Sequence, residues 1–444
     1  MVRSYKGQRT ALWFILWVCA FFAVVFFMYS SADKGFQSDS EDLAVGPIYI
    51  ATEGADIDMG NYGLGRIKFK KLPEKEVYNN VVLNGATLDN SYKYTPYRSQ
   101  LGLQGMIYKV AAGLLSGILS FKVIYHGLRF ACLFLFVLTL LLIVLQLKKR
   151  YGLMFAVVFA VVSVLSPWIQ NFSVNLYWVE FTWFIPLLLS LLILNHYEKR
   201  FFIYPLFFIS IFIKCLCGYE YLSTIMVTGI MFMLVEWIVH KEERGRLIKA
   251  ILVIGVLSLL AFATAFVIHA YVYGSGNVGE GLKMLAAELV EKRTYGDAAN
   301  FDDIEGESLN ASVFTVLWKY MGFGTIHGMF MLFLFIATVF VLIMRSRWKR
   351  ACPDETGPRS GLQLFMSSSQ ALADLGQKEN NIFDISIFVV SLLSTLSWIV
   401  LAKGHSYVHT HINFVMFYMG WVQVSVYILV KTLIDKFGNA EKHG

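Results

Sequence analysis

Five groups of polar residues in this chain have types and spacings suited to chemistry, and each lies beside a long apolar run. The first is acidic: Asp33, Asp39, Glu41 and Asp42, with Asp56 and Asp58 further along. A carboxylate at such a place can take a proton from a hydroxyl or hold a divalent metal. The plainer alternative for any one of them is a solvated charge where a helix leaves a membrane. Asp39-Ser40-Glu41-Asp42 runs straight into Leu43-Ala44-Val45-Gly46, which reads as acids entering a helix. The second group is Tyr97 to Gly105. There Arg98 and Gln100 offer forked donors and Gln104 a further amide, beside glycines that permit close backbone approach. A turn into a short helix is the alternative.

Lys214 and Glu220, on either side of Gly218, form the third group. Charge at membrane depth is expensive, which points to function; a lysine reaching out to the interface is the other reading. The fourth is Lys403, His405, Tyr407, His409 and His411, with Asn413 close behind. Lysine and histidines at a helix entrance suit a phosphate or pyrophosphate. His405 and His409 share a face only in a helix, His409 and His411 only in an extended chain. No third ligand stands at a recognisable zinc spacing, so metal ranks below anion. Asn175, Trp178 and Glu180 make the fifth group, suited to a sugar or lipid headgroup; an aromatic belt is their alternative.

What must position these residues is a membrane scaffold. The chain has 444 residues, 57% hydrophobic and only 16% charged, against about 25% charged in soluble domains. Ten apolar runs read as spanning helices: 11–29, 126–147, 152–168, one reaching 196, 201–213, 221–239, 247–273, 325–344, 382–402 and 412–434. The first follows Arg3, Lys6 and Arg9 and precedes Ser30, Ser31 and Ala32, like a signal peptide. It is long enough to span, and reads as an uncleaved helix. The fold expected is therefore an all-α polytopic membrane protein of about ten transmembrane helices. Residues 11–30 form the first, and 31–125 a long extracytoplasmic loop with interfacial helices over 101–120. Helices 2–7 occupy 126–273, a second outer loop 274–324, and helices 8–10 residues 325–434 with a cytoplasmic loop at 345–381.

Charge supports that topology. Lys148–Arg150, Lys199-Arg200, Lys241–Arg246, Arg345–Arg350, and Lys431 with Lys436 all fall on one side, and basic connectors mark the cytoplasm. Both termini are then cytoplasmic. The net charge of +7 sits in these clusters, so nucleic acid is not a partner and membrane lipids are. None of the five cysteines lies in the first polar stretch, so no disulfide framework holds it. Walker, GxSxG, HExxH and dinucleotide signatures are absent, which argues against an ATP-driven pump. Broken helices in matched halves, the usual sign of a secondary transporter, are not evident.

A first helix, a long outer loop opening on acids, an amphipathic segment and a helical bundle resemble the GT-C superfamily of membrane glycosyltransferases. The likeness lies in Asp39–Asp42, in Tyr97-Arg98-Ser99-Gln100-x-Gly102-Leu103-Gln104-Gly105, and in Lys403–Asn413. The latter two are similar to segments of bacterial members linked to surface polysaccharides. The resemblance implies an inverting enzyme of the bacterial inner membrane, acting on the outer face. Its donor would be a sugar on a polyprenyl phosphate of the undecaprenyl type, and its acceptor a glycan, lipid or protein. Asp39, Glu41 or Asp42 would be the catalytic acid. Arg98, Lys214, Lys403, His405, His409 and His411 would meet the donor phosphate. Gln100, Gln104, Asn175, Trp178, Glu180, Glu220, Tyr407 and Asn413 would hold substrate. A divalent metal is the one cofactor considered. Alternatives are an O-antigen or capsule polymerase or ligase using polyprenyl-diphosphate glycans, and a lipid-linked oligosaccharide flippase. An arginine-rich later loop would favour the former, and mid-bilayer charges the latter; the chain has an acidic later loop and few charges in its spans.

Overall fold

The computed structural model describes residues 2–32, 34–54, 57, 60–69, 92–287, 291, 296–301, 303–351 and 377–440. Asp33, Asp56 and Asp58 lie outside the described residues, as does the side chain of Asp39. The chain is an all-α polytopic membrane protein with one small sheet. Each of the ten apolar runs is helical. Among the described residues, six helices are long and apolar enough to cross a membrane alone, or up to eight if each of two bent pairs is one span. The run before His196 is a 15-residue helix, Phe181–Asn195, short of the roughly 20 residues a span needs.

Two expected spans are interrupted. Pro167 cannot continue the helix Leu153–Leu165; it starts a new one, Pro167–Val174, whose N-cap Ser166 accepts from the Ile169 amide at 3.3 Å. Thr410–Met419 and Trp421–Lys436 are bent by 52°. Gly420 between them has φ +149°, and a Cβ there would meet the Met231 thioether at 3.2 Å, so only glycine turns this corner. Neither break was expected: 152–168 and 412–434 each read as one continuous span. Two connectors are corrected too. The fifth span runs from Arg200 to Cys217, which places Lys214 in its last turn, and Lys403–Val408 is helical.

The chain divides into two compact units. The first comprises Met1–Tyr97, Gln104–Leu140 and Val164–Phe181. Its opening helix, Val2–Ser31, lies along the start of Phe121–Tyr151 through Phe21 against Phe134, ring centres 5.2 Å apart, and Tyr29 hydrogen-bonded to His126 at 2.7 Å. The polar stretch forms a helix, Lys34–Glu53, and an antiparallel pair, Gly65–Phe69 with Tyr92–Pro96, in register Ile67 to Tyr94. That sheet was not expected. The helix seats on it because Gly46 lacks a side chain: a Cβ there would strike the Gly65 carbonyl at 2.5 Å. Leu103–Leu115, the expected interfacial helix, buries Gln104, Gly105, Tyr108 and Ala112 on one face. It leaves Ile107, Val110 and Leu114 exposed on the other, as suits a helix at an apolar boundary.

The second unit comprises Arg98–Leu103, Leu141–Ser163 and Thr182–Gly444. Leu222–Val239 packs on Gln377–Leu401 through short hydroxyl side chains. Thr228 and Ser394 hydroxyls are 2.7 Å apart, Thr224 donates to the Ser394 carbonyl and Ser394 donates back to that of Thr224. Small residues let such helices approach closely. Charges near the helix ends are paired: Arg150, Tyr151 and His240 on Glu236, and Arg345 with Lys431 on Asp384.

Candidate functional site

In the first unit, Glu41 is fully buried and fully engaged. Its Oε1 accepts from the Leu176 amide at 3.0 Å and faces Arg129 at 3.5 Å, while its Oε2 accepts from the Tyr125 hydroxyl at 3.0 Å. Arg129 also donates to the Val174 carbonyl and lies 5.4 Å from the Tyr125 ring centre. Such a carboxylate ties the polar helix to neighbouring elements. Ser40, just before it, has φ +66°, a left-handed conformation that strains a non-glycine residue. Asp42 is different: it pairs with Arg66 at 2.8 Å near the surface, with 22% of its side chain exposed.

Three further predicted residues of this unit are placed by local contacts. Gln104 donates to the Tyr177 carbonyl at 2.8 Å, Asn175 caps the Tyr177 amide at 2.9 Å, and Trp178 packs on Phe172 and Tyr177. Glu180 stands apart. It is fully buried, and neither carboxylate oxygen has a hydrogen-bond partner among the described residues. Burial without compensation pushes its carboxyl well above the ordinary carboxylate value. The residue before it, Val179, holds a left-handed φ of +43°, unusual for a β-branched side chain.

The second unit gathers several sequence candidates around one turn, Gly218 to Tyr221. The helix Arg200–Cys217 carries Lys214 to its end, where the ammonium donates to the Gly218 carbonyl at 2.7 Å and lies 5.8 Å from the Trp183 ring centre. Gly218 makes room for two side-chain ends: a Cβ there would run into Gln100 Oε1 and Glu220 Oε2. Gln100 is 1% exposed, yet neither end of its amide has a hydrogen-bond partner among the described residues. Tyr221 starts the next helix at φ +59°, a strain of about 1–3 kcal/mol that its surroundings must hold. Its hydroxyl donates to Asn413 Oδ1 at 2.6 Å, and Asn413 Nδ2 is a further buried donor. Its ring meets Trp183, Trp398 and His405 at 5.1, 5.5 and 6.3 Å between centres. Indole Nε1 of Trp398 and Oγ of Ser406 are likewise buried and unpaired.

Helix Lys403–Val408 splits its own candidates. His405 faces Tyr221, and His405 and His409 lie 4.6 Å apart as helical spacing requires, with His411 6.2 Å beyond. Lys403 and Tyr407 turn instead to the helix Asp303–Asn310. Lys403 donates to the Leu309 carbonyl at 2.7 Å, and Tyr407 to the Glu307 carboxylate, which pushes the phenol pKa up. Arg98 is exposed, and its carbonyl accepts from His269 at 3.0 Å. Among the described residues no three His, Cys, Asp or Glu side chains form a metal-binding group.

Sequence reading passed over the partners: Tyr125, Arg129 and Arg66 around the acids, and Trp183, Tyr221 and Trp398 around the turn. Arg129 alone carried a signal, as a charge inside an apolar run. No family model, curated protein or solved structure matches this chain.

Proposed function

We propose that the chain is a membrane glycosyltransferase that moves a sugar from a polyprenyl-phosphate-linked donor to a glycan, lipid or protein acceptor on the outer face of a bacterial inner membrane. The observation that supports this most is the polar cluster at the Gly218–Tyr221 turn. It lies between apolar helices and holds several buried hydrogen-bonding groups without partners. Leaving such a group unmade costs about 1–3 kcal/mol, so a cluster of them is built for a polar ligand. The order of elements in the first unit adds support: apolar helix, acid-bearing helix, short apolar helix and then the next span.

In this reading the acceptor hydroxyl gives its proton to a carboxylate as its oxygen attacks the anomeric carbon. The bond from that carbon to the phosphate oxygen breaks, and the lipid phosphate leaves with the electron pair. Asp42 is the acid assigned here, because Glu41 is fully buried and held by Tyr125, Leu176 and Arg129. The test uses purified protein in lipid nanodiscs with undecaprenyl phosphosugars bearing labelled hexoses and a bacterial envelope lipid extract as acceptor. Native protein is expected to release undecaprenyl phosphate and move label to a new product. Asp42→Asn is expected to lower that rate at least 100-fold, the usual scale for a general base, with its melting profile intact. No release from any donor, or full activity in Asp42→Asn, would remove the proposal or its base.

A second reading, a lipid-linked oligosaccharide transporter, is favoured by the break at Gly420 and by the unpaired buried carboxyl of Glu180. Movement of an intact lipid-linked glycan across proteoliposomes, with no phosphate released, is its signature.

A further inference from the structure

The chemistry of the Gly218–Tyr221 cluster discriminates between the two parts of a lipid-linked sugar. Its formal charges cancel, Lys214 against Glu220, which act on each other electrostatically. One proton of the lysine is already committed to the Gly218 carbonyl. A phosphate is an acceptor only, and wants donors and net positive charge. The buried polar groups here are of both kinds: Gln100, without a partner among the described residues, offers a donor and an acceptor, and Asn413 Nδ2 and Trp398 Nε1 are donors. Neutral hydroxyls, each donating and accepting, match that mixture. The rings of Trp183, Tyr221 and Trp398 line the same place, joined edge to face. Aromatic faces suit the C–H surface of a sugar, and no anion gains from them.

We infer that the Gly218–Tyr221 turn is a subsite for a neutral, polyhydroxylated ring, with Gln100, Asn413 and Trp398 as its specificity-determining residues, and that it does not hold the phosphate. The inference rests on the glycosyl-transfer reading for the source of that ring, a lipid-linked sugar. Gly218 sets the position of Gln100 and Glu220, and Tyr221 that of Asn413.

The experiment compares two probes on protein in nanodiscs: short-chain polyprenyl phosphosugars carrying glucose, galactose, mannose or N-acetylglucosamine, and the same polyprenyl phosphate without sugar. Native protein is expected to bind at least one sugar-bearing probe about tenfold or more tightly than the sugar-free one, the scale of one hydrogen bond. Trp398→Phe keeps an aromatic ring and removes the indole N–H together with the pyrrole half of the ring; Gln100→Ala removes the amide. Each is expected to weaken the sugar-bearing probe about tenfold and to leave the sugar-free probe within about twofold. Equal weakening of both probes, unchanged binding in Trp398→Phe, or native protein that ignores the sugar would overturn the subsite. A native protein that shows this selectivity but transfers no sugar would count against glycosyl transfer alone.

Discussion

In the second unit, the charges around Asp384 are paired: Arg345 stands 2.9 Å from the carboxylate and Lys431 2.8 Å, with Asp435 3.2 Å from Arg345 in turn. Around the Gly218–Tyr221 turn, Gln100 and Trp398 keep buried polar atoms with no partner among the described residues. The first unit repeats the contrast with two fully buried glutamates, Glu41 held by Tyr125, Leu176 and Arg129, and Glu180 by none. Satisfied groups clamp helices together. Unsatisfied ones weaken the fold unless something outside the chain completes them, which is why they point to ligands.

The sharpest way to break the comparison is at its satisfied side. Asp384→Asn leaves Arg345 and Lys431 buried without their shared counter-charge. Loss of one member of a buried ion cluster costs about 3–5 kcal/mol, so a large fall in melting temperature in detergent is expected. An unchanged melting curve would show that this network clamps nothing. On the unsatisfied side, Gly218→Ala displaces the flexible ends of Gln100 and Glu220. Because only side-chain tips must move, stability should drop by about 1 kcal/mol, the low end for overpacking. Sugar-lipid binding should fall about tenfold or more. Unaltered binding would show that Gly218 does not position those groups.

Glu180→Gln gives the smallest effect, visible in its dependence on pH. The folded protein keeps the Glu180 proton well above the ordinary carboxylate value, while the unfolded chain releases it near 4.5. Between those two values the unfolded state binds fewer protons, so stability falls as pH rises. Glutamine does not titrate. The variant should match native protein in mild acid and exceed it in melting temperature at neutral pH. A native protein equal to the variant across that window would mean that Glu180 finds a partner.

The membrane scaffold was legible because apolar length and basic stops such as Lys148-Lys149-Arg150 are local signals. The break at Gly420 was not, since a glycine in an apolar run has no mark until its φ is known. Glu41 was chosen as an acid, but what holds it comes from Tyr125, 84 residues away, and Leu176, 135 away, beyond any spacing rule. Residue type alone found Gln100, Lys214, Glu220, His405 and Asn413, which the fold gathers at one turn. It also grouped Lys403 and Tyr407 with the histidines by adjacency, whereas their helix aims them at Leu309 and Glu307. Trp183, Tyr221 and Trp398 were hidden because aromatics are common in any apolar span.

The most direct measurement is a structure of the protein in nanodiscs with a polyprenyl phosphosugar bound. The sugar ring is expected beside Gly218, with hydroxyls within hydrogen-bonding distance of Gln100, Asn413 and Trp398, and the phosphate away from Lys214. A sugar bound away from this turn, with ordered water on those three side chains, would contradict it.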